Sequence, residues 1–298
     1  MDQALTPARQ AELAKQRHER RQLTFLLAPG ALWLVVFFMT PLIIILVFSF
    51  LTKKTYGGVI PEFSVASYAE LASVSFAVFF GRSFNLALQT TLICLLAGYP
   101  IAYVIARQPS RRLRSLLLML VIVPFWTNFV VRTYAIKAIL ADQGVLNSVL
   151  IALNLISKPL DMSPGAGAVL IGMVYGFLPF MILPLYASIE KFDFSLMEAA
   201  HDSGANDFWA FMRVMVPLTM PGIVAGCILV FIPSIGAYIT PDILGGPNGR
   251  MLGNEINFQF TGSGYNWPYG SAISIVLMAA VSIATAIYFR STTKEDRV

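Results

Sequence analysis

The chain has 298 residues, of which 57% are hydrophobic and 12% charged, against about 25% charged residues in a soluble globular domain. A mean hydropathy of +0.70 spreads apolar sequence along nearly the whole length, which excludes a soluble protein and favours one membrane domain. The net charge of +5 is assigned to lipid headgroups and orientation, not to nucleic acid, because basic residues beside membrane spans serve those ends.

A hydrocarbon core about 30 Å thick needs about 20 apolar residues of helix. Six uncharged runs of that order follow one another: Phe25 to Leu51, Ser83 to Ala106, Ser115 to Val131, Gly167 to Tyr186, Pro217 to Ile239 and Gly270 to Phe289. Each predicts a transmembrane helix, so the expected fold class is an all-α membrane protein with six spans. The first run reads as a retained helix and not a cleaved signal peptide, since a long polar stretch precedes it and Lys53-Lys54 follow it. Lys and Arg concentrate on the cytoplasmic side. With the N-terminus inside, only Lys53, Lys54, Arg82, Arg132, Lys137, Lys158 and Arg250 of the 21 basic residues fall outside or at the outer edge. Both termini are therefore expected in the cytoplasm.

The expected division is a cytoplasmic N-terminal tail at 1–24, a first helix and periplasmic loop at 25–82, a five-helix core at 83–289 and a cytoplasmic C-terminal tail at 290–298. Prolines recur in or beside the runs, among them Pro100, Pro124, Pro179, Pro184 and Pro233. Kinked helices of this kind suit a path-forming protein better than an anchor. The pairs Gly172/Gly176 and Gly222/Gly226 predict close helix packing.

The loop between the fourth and fifth runs, 187–216, carries the densest local signals. Ser195 and Glu198 have capping-box spacing, which predicts a short helix starting there. Gly204 stands where that helix would end, because glycine takes the left-handed C-terminal conformation without a steric penalty. Asn206 or Asp207 is placed to cap a second helix. Its residues Phe208, Phe211, Met212 and Met215 form an apolar stripe suited to the membrane interface. By local physics alone this is either a docking element or a well-capped hairpin.

Glu198-Ala199-Ala200, three residues, Gly204, nine residues, then Val214-Met215-Val216-Pro217 resembles the EAA signature of ABC-importer permeases, with valine at positions 214 and 216 in place of isoleucine and leucine. Ile122 to Asn128, Leu178 to Phe180, Pro217 to Gly222 and Asp242 to Gly246 extend the resemblance to the permeases of spermidine/putrescine importers, from about Arg21 to Phe289. The resemblance implies a type I ABC importer permease fold in a bacterial inner membrane, paired with a second, homologous permease. It further implies two copies of a cytoplasmic ATPase that bind ATP and Mg, and a periplasmic or extracellular solute-binding protein. Glu198, Ala199, Ala200, Gly204 and Pro217 are then the expected coupling residues.

No phosphate-binding Gly-x4-Gly-Lys-Ser/Thr loop occurs in the chain, so energy is expected from another chain. Catalytic residues and a metal site are not expected, and no cofactor is assigned to this chain. Cys94 and Cys227 lie in apolar runs and read as small hydrophobes. His201 reads as a solvated loop histidine or as a group that tunes coupling. A polyamine path needs carboxylates and aromatic faces. Asp242, beside Tyr238, is either part of that path or a turn-capping aspartate. Trp126, Asn128 and Tyr175 either line the passage or, for the two aromatics, pack in the membrane. A different small solute, such as an amino-acid derivative, opine or aminophosphonate, is the alternative within the class. An ion-driven secondary transporter is the alternative outside it, and the absence of acidic residues from the six runs argues against ion coupling.

Overall fold

A computed structural model of the chain describes residues 7–54, 57–261 and 265–295. Helix α1 runs without interruption from Pro7 to Ser49, so the basic N-terminal stretch and the first span are one rod, and Pro29 and Pro41 lie inside it. Along Gln22–Ser49 only Ser49, at the very end, is buried within the chain, and the helix packs against the last one, α14 (Trp267–Glu295). A bare apolar rod of this kind has lipid as its solvent. Two short strands, β1 (Leu51–Lys53) and β2 (Val59–Phe63), pair antiparallel after it. This small hairpin is an addition to the all-α expectation.

Helix α2 (Ala66–Glu70) leads to α3 (Val74–Ala106), capped by the Ser73 hydroxyl, which accepts from the Phe76 amide at 3.4 Å. The long helices α3, α7 (Ala166–Ile189) and α11 (Met220–Ile235) pack mutually and form the centre of the bundle. Cys94, Ala102, Met181, Leu185 and Val230 are buried there. Their close approach depends on glycine. A Cβ on Gly98 would stand 3.1 Å from the Met181 side chain, and one on Gly222 would overlap Ser188 and stand 2.8 Å from the Pro184 carbonyl oxygen. Gly172 and Gly226 are similarly crowded, whereas Gly176 makes only ordinary contact with Phe129. Two threonines inside α3 bond locally: the Thr90 hydroxyl donates to the Leu86 carbonyl at 2.7 Å and that of Thr91 to Ala87 at 2.8 Å. Without water, such groups must be satisfied within the protein.

Among the described residues five stretches are long and apolar enough to cross a membrane, and a sixth is a bent pair, Asp207–Leu218 with Met220–Ile235, turned by 71° at Thr219. The expected third span, Ser115 to Val131, is not one helix. Helix α4 (Arg111–Ile122) gives way to a 3-10 turn at Val123–Trp126, and α5 (Phe129–Leu140) begins after Asn128. Pro124 has no amide hydrogen to continue the ladder, and the Asn128 side chain instead accepts from the Val130 amide at 2.8 Å and starts a new helix. The start of α4 is tied to the end of α7 by Arg114 and Glu190 at 3.0 Å, while Leu140 packs with Ala168 and Val169 at the start of α7. The broken α4–α5 line therefore accompanies α7 along its whole length. Residues Phe129–Ala152 also qualify by apolarity, but the chain turns between α5 and α6 (Val145–Ala152), where the Gly144 amide bonds to the Ala141 carbonyl at 2.8 Å. Arg132 and Lys137 lie inside this stretch instead of flanking a span.

Candidate functional site: the interhelical hairpin and the broken third span

Helix α8 (Ser195–Asp202) follows α7 after a short turn. The expected capping box does not form. Asp193 Oδ1 accepts from the Ser195 amide at 3.0 Å, and Ser195 is already the first helical residue. The Ser195 amide, and secondarily its hydroxyl, hold the Asp193 carboxyl below its usual range, because both favour the charged form. The end of α8 agrees with the sequence. The Gly204 amide bonds to the His201 carbonyl at 2.8 Å and the Ala205 amide to the Ala200 carbonyl at 3.0 Å, the paired bonds of a Schellman stop. Gly204 has φ +87°, in the left-handed region, with open space around it.

Asn206 caps α9 (Asp207–Ala210) by accepting from the Trp209 amide at 2.9 Å. A π-helical turn at Phe211–Met215 then leads into α10 (Val216–Leu218) and α11. The extra residue in that turn splits the expected stripe. Met215 is buried, Phe211 is half-buried, and Phe208 and Met212 face outward.

Ring, hydroxyl and guanidinium contacts fasten this hairpin to α3. The Tyr99 ring meets Phe211 edge-on at 5.3 Å, and its hydroxyl hydrogen-bonds with that of Thr219 at 2.8 Å, both residues being buried. The Arg107 guanidinium lies 5.5 Å from the Phe194 ring and donates to the Tyr103 hydroxyl at 2.8 Å. Between these contacts is a cleft of about 530 Å³, bordered by Arg107, Glu198, His201 and Asp207. Glu198, Ala199, Gly204 and Pro217 are exposed and Ala200 half-buried. His201 Nε2 lies 3.2 Å from Asp207 Oδ1 across the hairpin turn. Thr219, inside the Pro217 to Gly222 stretch but not singled out by it, is both the bend of the hairpin's exit helix and its hydrogen bond to α3.

The expected path residues fall in two places. Asp242 is exposed in the first turn of α12 (Ile239–Leu244), and its amide bonds to the Tyr238 carbonyl at 3.0 Å. The Tyr238 hydroxyl accepts from Asn257 Nδ2 at 3.1 Å. Asn128 and Tyr175 instead border the break in the third span. Trp126, in the 3-10 turn, is 81% exposed. The Asn128 side chain is committed to capping α5. Arg132 takes the ring faces: its guanidinium lies 5.3 Å from Phe125, 5.3 Å from Phe129 and 5.6 Å from Tyr175, and donates to the Pro124 carbonyl at 3.0 Å. A sequence signal for Arg132 existed in the apolar residues on both sides of it, but an uncharged-run criterion ends at the first charge.

A family model described as "Binding-protein-dependent transport system inner membrane component" matches residues 98–292. The chain is 43% identical over 259 residues to the spermidine/putrescine transport system permease protein PotB of Salmonella typhimurium (strain LT2), covering 87% of this chain and 90% of that protein. It is 42% identical over 259 residues to PotB of Escherichia coli (strain K12), covering 87% and 94%. Among solved structures, a chain of a bacterial ABC transporter that imports the acidic polysaccharide alginate superimposes with a TM-score of 0.69 at 19% identity, over 94% of this chain and 99% of that one. A chain of the MetNI methionine ABC transporter, in inward-facing form, gives 0.54 at 16% identity, over 74% and 98%.

Proposed function

Since the chain belongs to the family of binding-protein-dependent transport system inner membrane components, we propose that it is a permease subunit of an ATP-driven importer of polyamines. The observation that carries the substrate class is the identity of 42% or 43% over 87% of the chain to permeases named for spermidine and putrescine. In this reading a second permease completes the path and a binding protein delivers the solute. Two copies of an ATPase, holding ATP and Mg, dock on the hairpin at 187–216. Both termini and the hairpin lie in the cytoplasm. Glu198, Ala199 and Ala200 form the docking surface, Gly204 sets its direction, and Pro217 leads it into the bend at Thr219. Movement of α8 then passes to α3 through Phe194–Arg107 and Phe211–Tyr99, and to α11 through Thr219.

The reading is tested by uptake of radiolabelled spermidine in cells lacking their own polyamine importers and expressing this chain with its partners. Uptake competed by putrescine is expected, and uptake competed only by an opine or aminophosphonate would move the chain to the other solute class. Orientation is tested separately. Single cysteines at Ser110 and Ser163, with Cys94 and Cys227 replaced, are expected to react with an impermeant thiol reagent from opposite faces, Ser110 from the cytoplasm. Reaction of both from one face would reject the topology. Ser263, the third suitable position by sequence, lies outside the described residues.

Asp242 is proposed to contribute one carboxylate to the cation route. Asp242→Asn is expected to lower spermidine uptake by roughly ten- to a hundredfold at unchanged expression, the equivalent of about 1.5 to 3 kcal/mol for a charged contact in the limiting step. Unchanged uptake would return Asp242 to its helix-starting role.

A further inference from the structure

Arg132 is a charge within the apolar stretch Phe129–Ala152, which is long enough to cross a membrane, and an intramembrane cation persists only where it faces protein or water. Phe129, one turn before it, packs 3.6 Å from the Cβ position of Gly176, near the middle of α7, so the guanidinium is far from both ends of α7. Among the described residues no carboxylate lies within ion-pair distance of it. Its charge is instead balanced by three ring faces and the Pro124 carbonyl. Aromatic faces with a carbonyl acceptor are the chemistry that recognises an organic ammonium ion. The group is open on one side, since Tyr175 is 46% exposed.

We propose that Phe125, Phe129, Tyr175 and the Pro124 carbonyl form an ammonium-binding subsite of the translocation path, and that Arg132 is its tethered occupant, which must leave when the solute's ammonium enters. The inference rests on the polyamine reading for its solute and on the contacts of Arg132 for its site. Two cations cannot share the rings, because like charges at contact repel strongly in a medium of low dielectric. The side chain thus keeps the path closed to free cations until the importer changes conformation. Held by one hydrogen bond and by ring faces, and by no carboxylate, it is free to swing aside.

The test is equilibrium dialysis of the complete, purified transport complex, without binding protein, against radiolabelled spermidine and against n-butylammonium. Arg132→Gln and Arg132→Met both remove the charge, and the second suits a membrane span better than the native residue. Each is expected to bind both probes about tenfold or more tighter than the native complex, the gain expected from vacated ring faces. Arg132→Lys is expected to stay near the native value, and Tyr175→Leu added to Arg132→Gln is expected to abolish the gain. No gain in variants that assemble and hydrolyse ATP, or a gain that survives Tyr175→Leu, overturns the proposal. Failure of both neutral variants to assemble also overturns it, since Arg132 would then be a structural strut for the broken helix. Native uptake of spermidine with no gain in the variants rejects the subsite and keeps the polyamine reading. Gain of n-butylammonium binding without native spermidine uptake keeps the subsite and rejects that reading.

Discussion

Gly204→Val is expected to leave the permease folded in the membrane while lowering ATP-driven uptake about tenfold or more, the equivalent of about 1.4 kcal/mol. The cause is conformational, not steric crowding. Nothing lies within 4 Å of the Cβ position, but φ is +87°, where a β-branched residue is strained by about 1 to 2 kcal/mol. The chain relieves that strain by abandoning the Schellman stop, which redirects α9 and the aromatic contacts behind it. Gly204→Asn, which tolerates the left-handed region, is expected to retain most uptake. The comparison with Glu198→Ala is informative because Asp193, and not Glu198, satisfies the Ser195 amide. Loss of activity in Glu198→Ala therefore reports on contact with the ATPase, whereas Asp193→Ala reports on the start of α8. Reconstituted complexes assayed for ATPase co-purification, stimulated hydrolysis and uptake separate these effects; full stimulated uptake in Gly204→Val would reduce the hairpin to a connector.

The second large effect is expected at the contact of α7 with α11. Gly222→Ala places a methyl group against Ser188 and 2.8 Å from the Pro184 carbonyl oxygen, a backbone atom that moves only with its helix. Overpacking of this kind costs about 1 to 3 kcal/mol, and here it separates two of the three central helices. Gly226→Ala meets the Met181 sulfur at 2.6 Å, the adaptable end of a flexible side chain, and is expected to be milder. Gly30→Ala, with nothing within 4 Å, is expected to be neutral. The yield and thermal midpoint of the purified complex should rank the three in that order, and equal stability of Gly222→Ala and Gly30→Ala would show that the helices are not held this closely.

The parts of this molecule that were legible in the sequence are those fixed by short-range chemistry. Gly204 could be placed because only a left-handed residue ends a helix that way, and Gly222 and Gly226 because small residues at helical spacing predict close approach. The capping box failed because Ser195-Leu-Met-Glu198 and Asp193-Phe-Ser195 compete for the same amide, and the aspartate wins from outside the helix. The third span was misplaced because charge was used to end it. Arg132 is tolerated inside by rings from the 3-10 turn, α5 and α7, a tertiary arrangement that no linear window contains. The role of Thr219 was not legible for the same reason: its hydrogen bond to Tyr99 joins residues 120 positions apart.

The central claim is that this chain moves a polyamine by transmitting ATP-driven movement from another chain through the 187–216 hairpin. The most direct measurement is spermidine uptake into proteoliposomes containing the complete complex, with binding protein outside and ATP inside, repeated without the ATPase subunit and with imposed proton or sodium gradients. The account predicts uptake only with ATP, ATPase and binding protein together, and none driven by an ion gradient alone. Gradient-driven uptake that persists after the ATPase is removed would contradict it.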